Sequence, residues 1–502
     1  MVISQAMEHF DALIVGAGIS GIGAAYHLKA RCPKRSFAVL EARAAMGGTW
    51  DLFRYPGVRS DSDMFTLGFN FRPWTEAKAI ADGPAILAYL SQTARAYGID
   101  RHIRYGCKVT RAAWDSGEAR WTVTFEVAGL TRQVTCSFLH MCAGYYNYEH
   151  GYRPTFPGEQ AFGGRIIHPQ FWPADLDYAG KQVVVIGSGA TAVTLVPEMA
   201  KAASHVVMLQ RSPSYVVSRP AEDAFANRLR RRLPIRLAYA IIRWRNVLMQ
   251  LWMYNMTRRQ PEKVKKAIID MAAKQLGPGY DVATHFTPRY NPWDQRLCLV
   301  PDADLFAAIR TGAASVVTDE IETFTATGIR LKSGQALAAD IIVTATGLDL
   351  QLMGGLEVSV DGAPVNLPSC FSYKGMMYSG VPNLASSFGY TNASWTLKAD
   401  LTAEYMCRLL NHMARHGYAE CRPVNDDPSL TPEPWLSFSS GYVQRAIARL
   451  PKQGARIPWR VHQNYALDVM AFRFGRLEDG VMRFSRVRRA AAQPFTAERE
   501  AA

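Results

Sequence analysis

Ala12-Leu13-Ile14-Val15-Gly16-Ala17-Gly18-Ile19-Ser20-Gly21 is the stretch from which the fold is read. Four apolar residues in a row suit a strand covered on both faces, as in a parallel sheet. The G-x-G-x-x-G loop then turns the chain into a helical run, Ile22 to Ala30, and the strand Phe37–Leu40 ends in Glu41. In such a βαβ unit Gly16 allows the tight turn and Gly18 lets the backbone approach a pyrophosphate. Gly21 lets helix and strand pack closely, with Ser20 in the same cradle. The helix N-terminus supplies free N–H donors, and Glu41 stands where a carboxylate would accept from a ribose.

The unit recurs. Gln182–Ile186 reads as a strand, Gly187-Ser188-Gly189-Ala190-Thr191-Ala192 as a G-x-G-x-x-A loop, and a helix follows to about Lys201. The next strand, His205–Leu209, ends in Gln210-Arg211-Ser212 rather than in an acid. A carboxylate there would repel a ribose 2′-phosphate, whereas a guanidinium forks onto it. The first site therefore suits FAD, and the second, with Arg211 and Ser212, suits NADPH over NADH.

At 502 residues, 48% hydrophobic and 20% charged, the chain has room for two or three well-cored domains. Its formal net charge of +14 raises nucleic acid as a partner, but no zinc-finger, homeodomain or RNA-module pattern accompanies it. Two polyanionic cofactors account for part of the excess. Eight scattered cysteines form no C-x-x-C pair, which argues against a metal site, a disulfide framework and a redox dithiol. A reducing cytoplasm is the expected compartment. Met1–Phe10 leads almost directly into a strand, leaving no room for a signal peptide. No apolar run reaches the ~18 residues of a membrane span. His140, on a strand, is expected to be a satisfied core histidine, and the tail after Arg486 is expected to fray.

Residues 224–270 are basic, aromatic and helical, with Arg230-Arg231-Arg232, Trp244, Trp252 and Tyr254. Arg236, Arg243 and Arg245 interrupt the apolar run. Two readings stay open: an insertion that packs on its own domain and shapes access to a substrate cavity, or a peripheral contact with an anionic membrane surface.

Two further stretches carry a resemblance. Gly47-Gly48-Thr49-Trp50-Asp51-Leu52-Phe53-Arg54-Tyr55-Pro56-Gly57-Val58-Arg59-Ser60-Asp61 is the first. Phe162-Gly163-Gly164-Arg165-Ile166-Ile167-His168-Pro169-Gln170-Phe171-Trp172-Pro173, at the joint before the second glycine loop, is the other. They resemble the G-G-x-W-x-x-x-x-Y-P-G-x-x-x-D and F-x-G-x-x-x-H-x-x-x-W-P fingerprints of the type I Baeyer–Villiger monooxygenases, within the flavin-containing monooxygenase superfamily. Trp172 points to that subfamily, since related flavin-containing monooxygenases usually carry Tyr or Phe there. Segments including Thr49–Ser62, Tyr290–Pro301 and Tyr390–Asp400 resemble its ethionamide-activating subgroup.

The resemblance implies an α/β fold with two Rossmann-like domains: a discontinuous FAD-binding domain (1–150 and 345–502) and an inserted NADPH-binding domain (151–344) with a helical insertion at about 224–280. Ala345-Thr346-Gly347 would be the return crossing. By the same resemblance Thr49, Trp50, Asp51 and Asp61 lie near the flavin, and Tyr373–Met377 and Gly389–Trp395 lie near substrate and nicotinamide. Arg296 is catalytic, supported by Asp61, and His168 acts at a distance by coupling the two domains. The family usually has Lys-Arg where this chain has Gln295-Arg296, so the lysine that supports NADPH is missing and Arg211 carries more of that work. Ala174 replaces an Asp found in many members. The implied reaction inserts one oxygen of O2 into a small-molecule ketone through a C4a-peroxyflavin, giving an ester or lactone. Thioethers or thioamides would be oxidised at sulfur. A flavin N/S-monooxygenase or an NADPH oxidase shares the same features, and a non-catalytic flavin- and NADP-binding module docked on the inner face of the cell membrane is the remaining alternative. A flavin disulfide reductase is disfavoured by the absent dithiol.

Overall fold

Strand β1 (His9–Val15) buries Ala12 to Val15 completely or nearly so, which is why its sequence is a continuous apolar run. Parallel strand β2 (Phe37–Leu40) lies beside it, with Ala12 opposite Phe37, and helix α1 (Ile19–Arg31) makes the crossover. The helix begins three residues before the apolar periodicity suggests. Gly18 O already accepts from Ile22 N at 3.0 Å, so the glycine loop is itself the helix N-terminus. This computed structural model describes residues 7–486, and the fraying expected after Arg486 falls outside them.

On its other side β1 pairs in parallel with β3 (Leu130–Met141), whose outer half continues into antiparallel strands at 108–127. The inner end of β3 also takes β9 (Leu384–Ser386) in parallel, so strands from both ends of the chain complete one nine-stranded sheet. Between them is a second sheet of five parallel strands. Its order is β7-β6-β5-β8-β4, where β4 is Arg165–Ile167, β5 Gln182–Ile186, β6 His205–Gln210, β7 Ala314–Thr318 and β8 Ile341–Thr344. Helix α2 (Ala190–Met199) starts at the second glycine loop. The chain is thus an α/β protein with two dinucleotide-type sheets.

The chain leaves the first sheet after β3 and returns after β8, and these two crossings run side by side. Tyr146 and Leu350 form an antiparallel bridge, Asn147 N donates to Asp349 O at 2.8 Å, and Gln351 N donates to Tyr145 O at 3.0 Å. Backbone pairing satisfies the donors and acceptors of two segments that would otherwise be bare connectors.

The helical insertion departs from expectation. Helix α3 (Ile235–Arg259) sends Ala238, Tyr239, Ile242 and Val247 into the core of the first sheet's lobe. Helix α4 (Pro261–Leu276) sends Ala272 and Leu276 into the core of the second. The insertion therefore straddles both lobes instead of packing on its own. Arg243, read as an interruption of the apolar run, is 3% exposed. Its Nη1 donates to Phe65 O and Gly68 O, both at 2.8 Å, satisfying carbonyls at the end of the short helix Met64–Leu67. Among the described residues no helix is long and apolar enough to cross a membrane.

Candidate active site

A single cavity of about 1510 Å³ runs from the first glycine loop to the second. Gly16, at φ +103°, presses on the backbone so closely that a Cβ would lie 2.5 Å from Cys142 O. At Gly21 a Cβ would lie 1.8 Å from Gly16 O, so that glycine serves helix–strand packing. Gly18 differs: a Cβ there would approach only Gly48, at 3.5 Å, and at Gly189 it would meet nothing within 4 Å. The open backbone is therefore where a pyrophosphate needs to approach. Glu41 lines the cavity, with Oε2 accepting from Ala17 N at 2.6 Å and Oε1 from Arg43 N at 2.9 Å. Burial pushes its carboxyl up, leaving a carboxylate poorly solvated and receptive to hydroxyl donors. In the second loop Gly187, Ser188, Gly189, Ala190 and Thr191 face the cavity, with Arg211 and Ser212 on its exposed rim. Ser188 Oγ bonds Ser212 O at 3.1 Å and Ser214 Oγ at 2.9 Å, which fixes the rim against the loop. These donors fit two dinucleotides.

Between the loops Arg296 Nη2 meets Asp61 Oδ2 at 2.7 Å, and each side chain is about a third exposed, at 34% and 31%. Arg296 comes from the turn before Cys298–Pro301, and Asp61 from the loop after the Gly47–Gly57 stretch, so residues 235 positions apart converge. The Asp61 carboxylate holds the guanidinium charged well above its ordinary range, and Tyr145, Tyr442 and Tyr146 add to this. Tyr145 Oη and Tyr146 Oη are 2.5 Å apart, and Tyr145 stacks on Trp395 at 5.0 Å and 14°. Trp395 Nε1 in turn donates to Ser20 Oγ at 2.7 Å. An aromatic wall thus links the catalytic candidate to the first nucleotide loop. Permanent positive charge beside such a wall can stabilise a developing oxyanion.

Residues 79–359, more than half of the chain, match the flavin-binding monooxygenase-like family, and residues 14–82 match an NAD(P)-binding Rossmann-like domain. The chain belongs to the flavin-binding monooxygenase-like family. FAD-containing monooxygenase EthA of Mycobacterium tuberculosis is 56% identical over 480 residues, covering 95% of this chain and 98% of EthA. A putative FAD-containing monooxygenase, MymA, of the same species is 52% identical over 497 residues, covering 98% and 99%. Among solved structures, an oxidised steroid monooxygenase bound to NADP superposes with a TM-score of 0.75 over 95% of this chain and all of that one; at 22% identity it shares the fold.

In this flavin-binding monooxygenase, three residues expected at the cofactors stand off the cavity wall. Gly21 and Ala192 are packing positions, and Ala192 is fully buried in the second lobe's core. Asp51 is 8% exposed and engaged by Arg43 at 2.7 Å and Arg54 at 2.5 Å, so it braces the loop that presents Thr49 and Trp50. Residues 373–377, packed in the first lobe's core, are likewise away from the cavity, and so is His168. Its Nε2 lies 3.3 Å from Gly347 O, its Nδ1 accepts from Gln170 N at 3.3 Å, and its ring sits so tightly on Gly151 that a Cβ there would be 2.0 Å from Cε1. Gln170 Nε2 donates to Asn147 O at 2.7 Å. His168 and Gln170 therefore clamp both interdomain crossings. Burial lowers the imidazole's proton affinity, so the clamp is neutral near pH 7.

Tyr145, Tyr146 and Tyr442 of this flavoprotein were not legible as site residues. The first two directly follow the turn that ends β3, and strand C-terminal ends are where open α/β sheets bind ligands, so that signal was available. Tyr442 arrives from the far end of the chain with none. His140 is fully buried as expected but only half satisfied: Nε2 lies 3.0 Å from Ser387 Oγ, while Nδ1 has no partner among the described residues.

Proposed function

We propose that this NADPH-dependent flavoprotein is a Baeyer–Villiger monooxygenase that inserts one oxygen of O2 beside the carbonyl of a ketone. Sulfur in thioethers or thioamides is its second substrate class. FAD is held at Gly16, Gly18, Ser20, Glu41, Thr49 and Trp50, and NADPH at Gly187 to Thr191 with Arg211 and Ser212. The lobes divide as 1–150 with 345–502 for FAD and 151–344 for NADPH, a division supported by the two sheets. Bound there, FAD would supply the activation of O2 with electrons from NADPH.

The residues of the chain do the rest. Arg296 holds negative charge on the transferring oxygen and then on the former carbonyl oxygen. Asp61 fixes the guanidinium's plane and keeps it protonated, so it acts as a charge and not as an acid. Tyr145, Tyr146, Tyr442 and Trp395 exclude water, which strengthens that charge. Gln295 leaves the 2′-phosphate to Arg211. His168 is a positioning residue that keeps the two crossings in register. Peripheral contact of 224–270 with the inner face of the cell membrane is a separate part of the reading, supported by the apolar outer side of α3.

The observation that carries this reading is that the Arg296–Asp61 pair opens on the cavity holding both glycine loops. Incubating the purified flavoprotein with NADPH and ¹⁸O2, using a long-chain aliphatic ketone and separately a thioether, tests it. One labelled oxygen in an ester, and a labelled sulfoxide, are the expected products. Hydrogen peroxide alone with every substrate would make the protein an NADPH oxidase. Arg211→Glu should raise KM for NADPH by about tenfold or more while leaving that for NADH nearly unchanged.

A further inference from the structure

The outer side of α3 carries a stripe of large apolar side chains: Leu237, Ile241, Trp244, Leu248 and Trp252, each between 40% and 60% exposed. Their spacing of three and four residues puts them on one face of the helix. A second stripe adjoins it. The helical turn from Tyr465 to Phe474 buries Tyr465, Val469 and Phe472 while exposing Leu467, Met470 and Phe474, the last at 70%. The two helices meet where the Trp244 ring lies 5.7 Å from that of Tyr465. Isolated exposed apolar residues need no explanation, but a contiguous surface of this size does.

Charge selects the occupant. From Ala224 to Pro261 the chain has nine arginines and no acidic residue. Arg231, Arg232 and Arg236 are exposed at one end of the stripe, and Arg259 at the other, next to the paired Arg258. Two copies packed through this face would bring like charges together without relief. A bilayer with anionic headgroups supplies both an apolar interior for the stripes and counter-charge for their ends. Trp244 and Trp252 suit that boundary, since indole prefers the headgroup level.

The inner side of the same helix holds the wall of the active-site cavity. Asn246 and Gln250 donate to Asp63 at 2.9 and 3.1 Å, between the cavity-lining Ser62 and Leu67. At its end Arg258 pairs with Asp294 at 2.8 Å, two residues from Arg296. One helix thus carries the apolar outer face and braces the loop behind the cavity wall.

We infer that the two stripes form one docking face for an anionic bilayer, and that the site takes lipophilic substrates from that bilayer. The inference rests on the monooxygenase reading for its substrate arm and is independent of it for binding. Flotation of the holoenzyme with vesicles of phosphatidylcholine alone and with phosphatidylglycerol added tests the docking. Binding should need the anionic lipid, weaken with salt, and fall by about tenfold or more in Leu248→Glu/Trp252→Glu. Met470→Glu/Phe474→Glu, on the other helix, should give the same loss. With a long-chain ketone held in the vesicles, KM should rise in both variants, while turnover of a short water-soluble thioether stays as in the parent. No flotation with either lipid, or the apolar face buried in a dimer by sedimentation velocity, would overturn the inference. Flotation without product from any substrate would instead overturn the monooxygenase reading and leave the docking face standing.

Discussion

His140 lies at the inner end of strand β3. Its place in an apolar strand marks it as a core residue, and burial without a charged partner pushes its imidazole down to about 3 from the ordinary 6.5. The unfolded chain therefore binds a proton that the folded one refuses over that interval. Stability from the neutral form is complete above pH 6.5 and drains as pH falls toward 3. The unfolding midpoint of the wild type should drop between pH 6.5 and 4.5 more steeply than that of His140→Asn, measured by denaturant titration. Equal slopes would assign the acid sensitivity to other groups. Individual residues whose role depends on distant partners were less legible. Asp51 resembles a flavin contact because of its motif, yet two arginines claim its carboxylate. One of them, Arg43, lies outside that motif. Arg243 looks like a blemish in an apolar helix until the bare carbonyls of Phe65 and Gly68 are seen beside it.

At the scale of elements, both βαβ units were legible almost to the residue, because parallel strands buried on two faces must be continuously apolar and Gly16, Gly21 and Gly187 are forced by close backbone approach. What linked the units was not. The Tyr55-Pro56-Gly57 turn of the first lobe lies directly on α2 of the second, and a Cβ on Gly57 would meet Glu198 Cβ at 3.0 Å and Thr194 O at 3.2 Å. Gly57 also has φ +75°, a conformation that favours glycine. Gly57→Val should cost about 1–3 kcal/mol in thermal stability. It should also slow flavin reduction by NADPH in stopped flow while FAD stays bound, because the lobe–lobe contact is displaced. Unchanged reduction would show that this contact does not set the approach of the two cofactors.

For the molecule as a whole, the two sheets are held by paired crossings, by the His168–Gln170 clamp and by an insertion that enters both cores. Composition and motif gave the two-site plan, but only the folded chain brings Asp61, Tyr145, Arg296 and Tyr442 together, since their separations in sequence carry no period. The aromatic wall was hidden for that reason. The second apolar stripe at 467–474 was hidden too, because its helix is short and its meaning comes from the helix beside it. The central claim is that Arg296, fixed by Asp61, provides the charge for oxygen transfer and not for flavin reduction. Arg296→Ala with NADPH, O2 and a ketone substrate tests it most directly, following anaerobic flavin reduction and oxygenated product separately. Reduction should remain within a few-fold of wild type while product formation falls by about 100- to 1000-fold, with NADPH still consumed. Oxygenated product at an unchanged rate would contradict the account.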